Sequence, residues 1–549
     1  MRVNGLATGN ENGHEVRNAA RMCVLCVALV TVLATPLMAG DWTMFGYDPT
    51  NTASNGSSIN AQNVASLKPR FVFTTGGDIS ARAAVVGGKA FFPDWAGNLW
   101  AINSNNGMLI WSHQLSDYGL PAGTVSRTSP AVDHGIVYIG TQFNPSYPTA
   151  LSGWLLAIDA NKGTLLWKAQ PDTSNAFPVL TASPVVAGGV VYVGLTSNEE
   201  YVAGYDPAYP CCSVVGSVVA LKSNDGTKMW QTFMAPAGYS GANVWGSTPV
   251  VDTARGTVFV GTGNNYHDPT DPAYTSCIAG GGTRATCQSP NNHADSIVAL
   301  DMKTGAVKWA TRLETWGQFG VTDGSDFWNT ACFIPPFTNC PPMPGPDYDF
   351  GSGPNEITYK PAHGGPPVTI IGAGQKSGIY YAINPDTGAE IWHTQVGPGS
   401  SLGGMEWGSA SDGQRIYVAI ANLFGIPYAA GSAGSWAALD PATGNILWQK
   451  ADPNGAVDLG PLAVANGVVY VPSMGGPTFG GGSPDTAPTM FALDAATGNT
   501  LWSFVSGSSV IAGATVVNNN MWWGSGYAHL GIPGFTGNNK FYGFTPNGN

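Results

Sequence analysis

The chain has 549 residues, of which 74 are glycine and only 10% are charged. Few charges and many glycines suit a sheet protein with many tight turns, and they fit a long-helix architecture poorly. The net charge of −12, with no basic run, argues against a nucleic-acid partner.

In chain order, the first element is an export signal. Arg17 and Arg21 precede MCVLCVALVTVLA, an apolar run from Met22 to Ala34, and TPLMAG follows with small residues at Ala39 and Gly40. This pattern reads as a signal peptide over residues 1–39, with 40–549 as the folded domain and a periplasmic or secreted location. The run is too short for a stable membrane span. Two of the eight cysteines, Cys23 and Cys26, leave with the signal. The remaining six fall in local pairs: Cys211 and Cys212, Cys277 and Cys287, Cys332 and Cys340. Local pairing is expected of disulfides in an oxidising compartment. The adjacent Cys211 and Cys212 are read either as two buried thiols or as a disulfide across one peptide bond.

Beyond the signal the chain repeats. AINSNNGMLIW, AIDANKGTLLW, ALKSNDGTKMW, ALDMKTGAVKW, AINPDTGAEIW, ALDPATGNILW and ALDAATGNTLW end at Trp111, Trp167, Trp230, Trp309, Trp392, Trp448 and Trp502. Each copy alternates into a strand, turns at Asp or Asn followed by Gly, and returns in a strand that carries the Trp. Ahead of most copies lies a further strand, such as GIVYIG or GVVYVG. An antiparallel unit of this length is a propeller blade. After Trp502 an eighth unit, ending in KFYGF, lacks its last strand, and the early LKPRFVF supplies it. The expected fold is therefore all-β, an eight-bladed propeller whose N-terminal strand closes the last blade and hides its edge. The longest spacings, after Trp230 and Trp309, place loop insertions in adjacent blades, as a functional face would.

The repeat and the eight-unit count resemble those of pyrroloquinoline quinone (PQQ) dehydrogenases, over about residues 41–549. That resemblance implies PQQ and Ca²⁺ near the propeller axis. In GTGNNYHDP, Asn264 matches a calcium ligand, and Trp245 in GANVWGSTPVVD matches the Trp beneath the quinone plane. LTASPVVAGGVVYVGLTSNEEYV places Thr181 and Ser197 at cofactor carboxylates and Glu200 on calcium, with Glu199 as the adjacent alternative. Lys376 in GAGQKSGIYYAI matches the cation that polarises the quinone oxygens, and Asn422 a further polar contact to the cofactor. Where the family carries its catalytic Asp after a Trp, this chain has Asn329, which cannot act as a base. Asp326 is then the expected base and Asp323 the alternative. The resemblance also gives the Cys211–Cys212 pair a place against the cofactor, although in the family that ring lies in the first blade.

A narrower resemblance, to the polyvinyl alcohol dehydrogenase branch, rests on DWTMFGYDPTNTASNG, DWAGNLWAIN, CCSVVGSVVAL, GGMEWGSASDG and CPPMPGPDYDFG. It implies oxidation of secondary alcohols, small or polymeric, with electrons leaving to a separate acceptor such as a cytochrome c. The competing expectation is a non-enzymatic propeller that serves as a binding or assembly scaffold.

Overall fold

The computed structural model describes residues 40–143, 153–173, 177–313, 326–476, 486–529 and 531–549. The expected signal peptide and Asp323 lie outside the described residues. The fold is an all-β, eight-bladed propeller of mostly four-stranded antiparallel sheets. Blade 1 runs outward through Ala84–Val86, Lys89–Pro93, Asn98–Asn103 and Leu109–Gln114. Blade 8 consists of Thr515–Val517, Asn520–Gly524 and Lys540–Pro546, completed by Leu67–Thr74 from the other end of the chain. That last pairing is antiparallel, with Val72 opposite Tyr542 and Phe73 opposite Phe541. The first strands of successive blades touch one another around a complete ring. Middle strands such as Ser296–Asp301 are covered on both faces by neighbouring blades, which is why they read as nearly continuous apolar runs. No helix of the described residues is long and apolar enough to cross a membrane.

The recurring Trp joins each blade to the next. Trp167 Nε1 donates to Ser223 O (2.9 Å), Trp309 Nε1 to Pro385 O (3.1 Å), Trp392 Nε1 to Pro441 O (3.1 Å) and Trp448 Nε1 to Ala495 O (3.0 Å). Trp111 and Trp230 make the same bond to Ala160 O and Met302 O. At the closure, Trp502 donates to Leu67 O (3.1 Å), and Trp522 of blade 8 donates to Ser104 O of blade 1 (2.8 Å). The Gly of the repeat lies against the same indole. At Gly444 the backbone has φ 74°, and a Cβ would fall 2.5 Å from Trp392 Cε3. Gly226, Gly305, Gly388 and Gly498 stand in the same way on Trp167, Trp230, Trp309 and Trp448. Glycine is thus required twice over, for the left-handed turn and for the closeness of the ring.

Residues 41–58 form a collar along the free edges of the first strands. Val132 N donates to Thr43 O, Val251 N to Pro49 O, Glu356 N to Thr50 O, Ser411 N to Thr52 O and Val464 N to Ala53 O. These bonds satisfy backbone donors that an unpaired strand edge would leave open. Arg82, fully buried, fastens the collar: its guanidinium donates to Phe45 O (2.7 Å), Pro461 O (3.2 Å) and Leu462 O (2.7 Å).

Gly444→Ala is expected to destabilise the protein by about 1 kcal/mol or more, because φ > 0 and the indole both oppose a Cβ. Trp392→Phe should cost about 1 kcal/mol through the lost hydrogen bond to Pro441 O. Guanidinium unfolding midpoints check both; unchanged midpoints would mean that the blade interface does not depend on this contact.

Candidate functional site

In each blade the first two strands run antiparallel, so the start of the first and the end of the second lie at the same end of the propeller. At that end Thr181 and Trp245 precede the first strands Val185–Ala187 and Val250–Asp252. Ser197 ends the second strand Val190–Ser197, and Asn264 and Lys376 follow the second strands Thr257–Gly261 and Val368–Gly374. Glu200 stands in the first turn of the short helix Glu199–Tyr205. Thr181, Ser197, Glu200, Trp245, Asn264 and Lys376 line one cavity of about 210 Å³. Arg127, Asn243, Tyr266 and Asp349 complete its wall, and the sequence reading had picked out none of these.

Asp349 ties the cavity together. Its Oδ2 accepts from Trp245 Nε1 (2.9 Å) and Lys376 Nζ (2.9 Å), and its Oδ1 from Asn264 N (2.7 Å). Lys376 Nζ also donates to Asp347 Oδ2 (3.1 Å) and lies 5.1 Å from the centre of the Trp245 ring. Burial alone would lower the Lys376 pKa, but Asp347 and Asp349 outweigh it and hold the ammonium charged. Thr181 Oγ1 donates to Trp245 O (2.6 Å) and fixes that backbone from blade 3. Trp245 itself is only half-buried, so its ring remains open to the cavity.

The two adjacent glutamates have different tasks. Glu199 is fully buried; its carboxylate accepts from Tyr209 OH (2.9 Å), Ser213 N (2.7 Å) and Val214 N (2.8 Å), and so clamps the loop around the cysteine pair. Glu200 is half-buried and faces the cavity, with Oε1 accepting from Thr330 Oγ1 (3.1 Å). Burial raises its pKa, and Lys376 partly offsets this. Asn264 spends its amide N–H groups on Asn265 O (2.9 Å) and Trp328 O (2.8 Å), while its Oδ1 accepts no bond from the described residues. A Glu carboxylate and an Asn carbonyl are hard oxygen donors that suit calcium. Among the described residues no three His, Cys, Asp or Glu side chains converge on a metal position.

Asp326, Asn422 and the cysteine pair fall outside the cavity lining. Asp326 is buried behind the wall, where its carboxylate accepts from Asp347 N (3.0 Å) and Tyr348 N (2.7 Å). Burial pushes its pKa up to about 7 against those two bonds. Each Asp326 oxygen thus holds the Asp347 loop, and the residue expected as the base does not line the cavity. Asn422 closes its own loop: its Oδ1 accepts from Ile426 N, and its Nδ2 donates to Ile426 O and Ala433 O. Cys211 and Cys212 are joined by a disulfide, as are Cys277–Cys287 and Cys332–Cys340. The adjacent pair packs with Ala203, Tyr209 and Tyr266, one residue behind the cavity wall. Asn329 caps a short turn, its Oδ1 accepting from Ala331 N and its Nδ2 donating to Tyr266 O and Asn339 O.

Arg127 and Trp407 were also missed. Each stands just before the first strand of its blade, like Trp245, and the Arg127 guanidinium lies 4.1 Å over the Trp407 ring. That shared pre-strand position, in SRTSP and MEWGS, is the sequence signal that marks them.

The polyvinylalcohol dehydrogenase of Sphingopyxis sp. (strain 113P3) is 27% identical over 517 residues, covering 86% of this chain and 70% of that protein. The polyvinylalcohol dehydrogenase of a Pseudomonas sp. is 29% identical over 71% of this chain, which spans 56% of its length. In structure, quinohemoprotein alcohol dehydrogenase ADHIIG of Pseudomonas putida HK5 matches with a TM-score of 0.68 at 17% identity, over 93% of this chain and 81% of that one. The family described as outer membrane protein assembly factor BamB matches residues 58–208 and 375–527. The chain therefore belongs to that family of propeller repeats, and its homology and fold match the superfamily of PQQ-dependent quinoprotein alcohol dehydrogenases.

Proposed function

We propose that the protein is an exported PQQ- and calcium-dependent dehydrogenase that oxidises secondary alcohols to ketones, including those along polyvinyl alcohol. The observation that carries this reading is one cavity holding an open Trp245 face, a charged Lys376 and the hard oxygen donors Glu200 and Asn264. A planar anionic quinone with its calcium needs that combination of aromatic surface, cation and oxygen ligands. When bound, the cofactor supplies the two-electron acceptor that no side chain offers. The chain's residues do the rest. Trp245 gives the stacking floor, and Asp349 keeps it from rotating. Glu200 and Asn264 would hold calcium. Arg127, Thr181 and Ser197 would receive the cofactor's carboxylates. Lys376 stabilises negative charge that grows on the cofactor's oxygens.

The relatives named polyvinylalcohol dehydrogenase support the substrate class. The three disulfides support an oxidising, periplasmic or extracellular compartment. A separate electron acceptor such as a cytochrome c would reoxidise the protein. A scaffold without catalysis is favoured by one observation, Asn329 in place of the family's Asp, and cofactor binding separates the two readings.

Titration of the protein with PQQ and Ca²⁺, followed by tryptophan fluorescence, is expected to show saturable binding. Glu200→Gln should weaken calcium and PQQ together by about tenfold or more, with excess calcium restoring part of the loss. Trp245→Ala should weaken PQQ by about tenfold with no rescue by calcium, since stacking surface and not charge is lost. If neither change moves PQQ affinity, the cofactor site lies elsewhere and the scaffold reading stands.

Asp349→Asn should both lower thermal stability, by about 3 kcal/mol for a broken buried pair, and weaken PQQ. Differential scanning calorimetry beside the same titration checks this. A stable variant with unaltered PQQ affinity would show that Asp349 does not organise the site.

A further inference from the structure

This inference rests on the dehydrogenase reading, which still lacks a proton acceptor. A second compartment of about 140 Å³ adjoins the cavity and shares Arg127, Trp245 and Lys376 with it. Leu402, Trp407, Leu423, Leu459 and Phe535 make its lining mainly apolar. One carboxylate stands in that wall, Glu406. It is half-buried, and among the described residues it accepts no hydrogen bond and forms no ion pair. Its stem lies beside the Trp245 ring: a Cβ on Gly351 would fall 2.8 Å from Trp245 Cζ2 and 3.6 Å from Glu406 Cγ.

The other carboxylates near the cavity are already engaged. Asp349 accepts from Trp245, Lys376 and Asn264. Asp326 is capped by two backbone N–H groups behind the wall. Glu200 faces the first compartment, beside Asn264. Glu406 alone among them combines an unengaged carboxylate, apolar surroundings and a place next to the cofactor floor. Burial raises its pKa against the pull of Lys376 and Arg127, which moves the carboxylate toward the basicity that proton abstraction at neutral pH requires.

We infer that Glu406 is the proton acceptor of the alcohol oxidation and that the alcohol's hydrocarbon part occupies the apolar compartment beside it. The O–H bond breaks toward a Glu406 oxygen. The carbinol C–H hydrogen leaves with both bonding electrons for the bound quinone, and the C–O bond becomes C=O. The alcohol is oxidised, the quinone is reduced, and Glu406 ends protonated.

The test uses protein loaded with PQQ and Ca²⁺, with 2-hexanol as the alcohol. Glu406→Gln keeps the shape and removes the base, so kcat should fall by about 100-fold or more while KM changes little. PQQ affinity, read from tryptophan fluorescence, should stay within about threefold of the parent, because no cofactor contact is lost. Glu406→Asp should recover part of the rate. The parent kcat should rise with pH through the titration of Glu406, which Lys376, Arg127 and Tyr527 face across the compartment and Asp349 influences from the adjoining cavity wall, and this limb should vanish in Glu406→Gln. A Glu406→Gln rate close to the parent rate overturns the inference. So does a loss of PQQ affinity as large as the loss of kcat, which would make Glu406 a cofactor contact. A parent protein that binds no PQQ sinks the dehydrogenase reading and this inference with it.

Discussion

The contact on which the whole ring depends is an indole lying against a glycine of the next blade. Trp392 reaches across to blade 6, where its Nε1 donates to Pro441 O and its ring covers Gly444. The hydrogen bond fixes the height of one blade against the next, and the absent Cβ fixes their spacing. Repeated around the ring, these two constraints set every blade at the same height. The starts of all first strands then lie at the same end, and only there do residues from blades 2 to 6 converge. The site is a product of the spacing as much as of its own side chains. At the seam between blades 8 and 1 the repeat is incomplete, and the solution changes: Phe71 lies against Gly107, and Trp522, from a different strand, supplies the hydrogen bond to Ser104 O.

A second constraint acts inside the cavity. Asp347, Asp349 and Lys376 bring charges out of water, which costs several kcal/mol per ion unless each is paired. Pairing here also orients. Asp349 cannot satisfy Lys376 without also receiving Trp245 Nε1 and Asn264 N, so one carboxylate determines the position of the aromatic floor, the cation and the backbone that carries a candidate calcium ligand. A site organised in this way is held in place before any ligand arrives.

The fold was legible because its signals are local and repeated: the turn Gly, the strand alternation and the Trp recur in every unit, and the missing eighth outer strand pointed to LKPRFVF. The cavity was legible where a residue sits at a strand end with a recognisable neighbourhood, as with Thr181, Trp245, Asn264 and Lys376. It was illegible where the outcome depends on which way a side chain turns. Glu199 and Glu200 are neighbours of identical chemistry, yet one faces buried backbone N–H groups and the other the cavity, a difference set by the short helix. Asp326 has the composition of a base, but the returning Asp347–Tyr348 backbone claims both of its oxygens. Arg127 and Glu406 come from blades 2 and 6, and nothing short of the closed ring brings them to the same wall.

The two ends of the axis are treated in opposite ways. At one end the collar of residues 41–58 seals the first strands, and the buried Arg82, whose pKa burial lowers to about 9, gives its guanidinium N–H groups to three carbonyls. Between that seal and the site lies a narrow space lined by Phe45 and Arg82 below and by Arg127, Thr181 and Trp407 above. The collar thus stands across that space from the site, with its carbonyls at Phe45 and Asn51 accepting from Arg82 and Asn355. At the other end, the insertions of blades 3 and 4 supply Glu200, Tyr266 and the cysteine pair. The apolar compartment around Glu406 adjoins the cavity through the shared Arg127, Trp245 and Lys376, and there a half-buried carboxylate stands between an apolar wall and two cations.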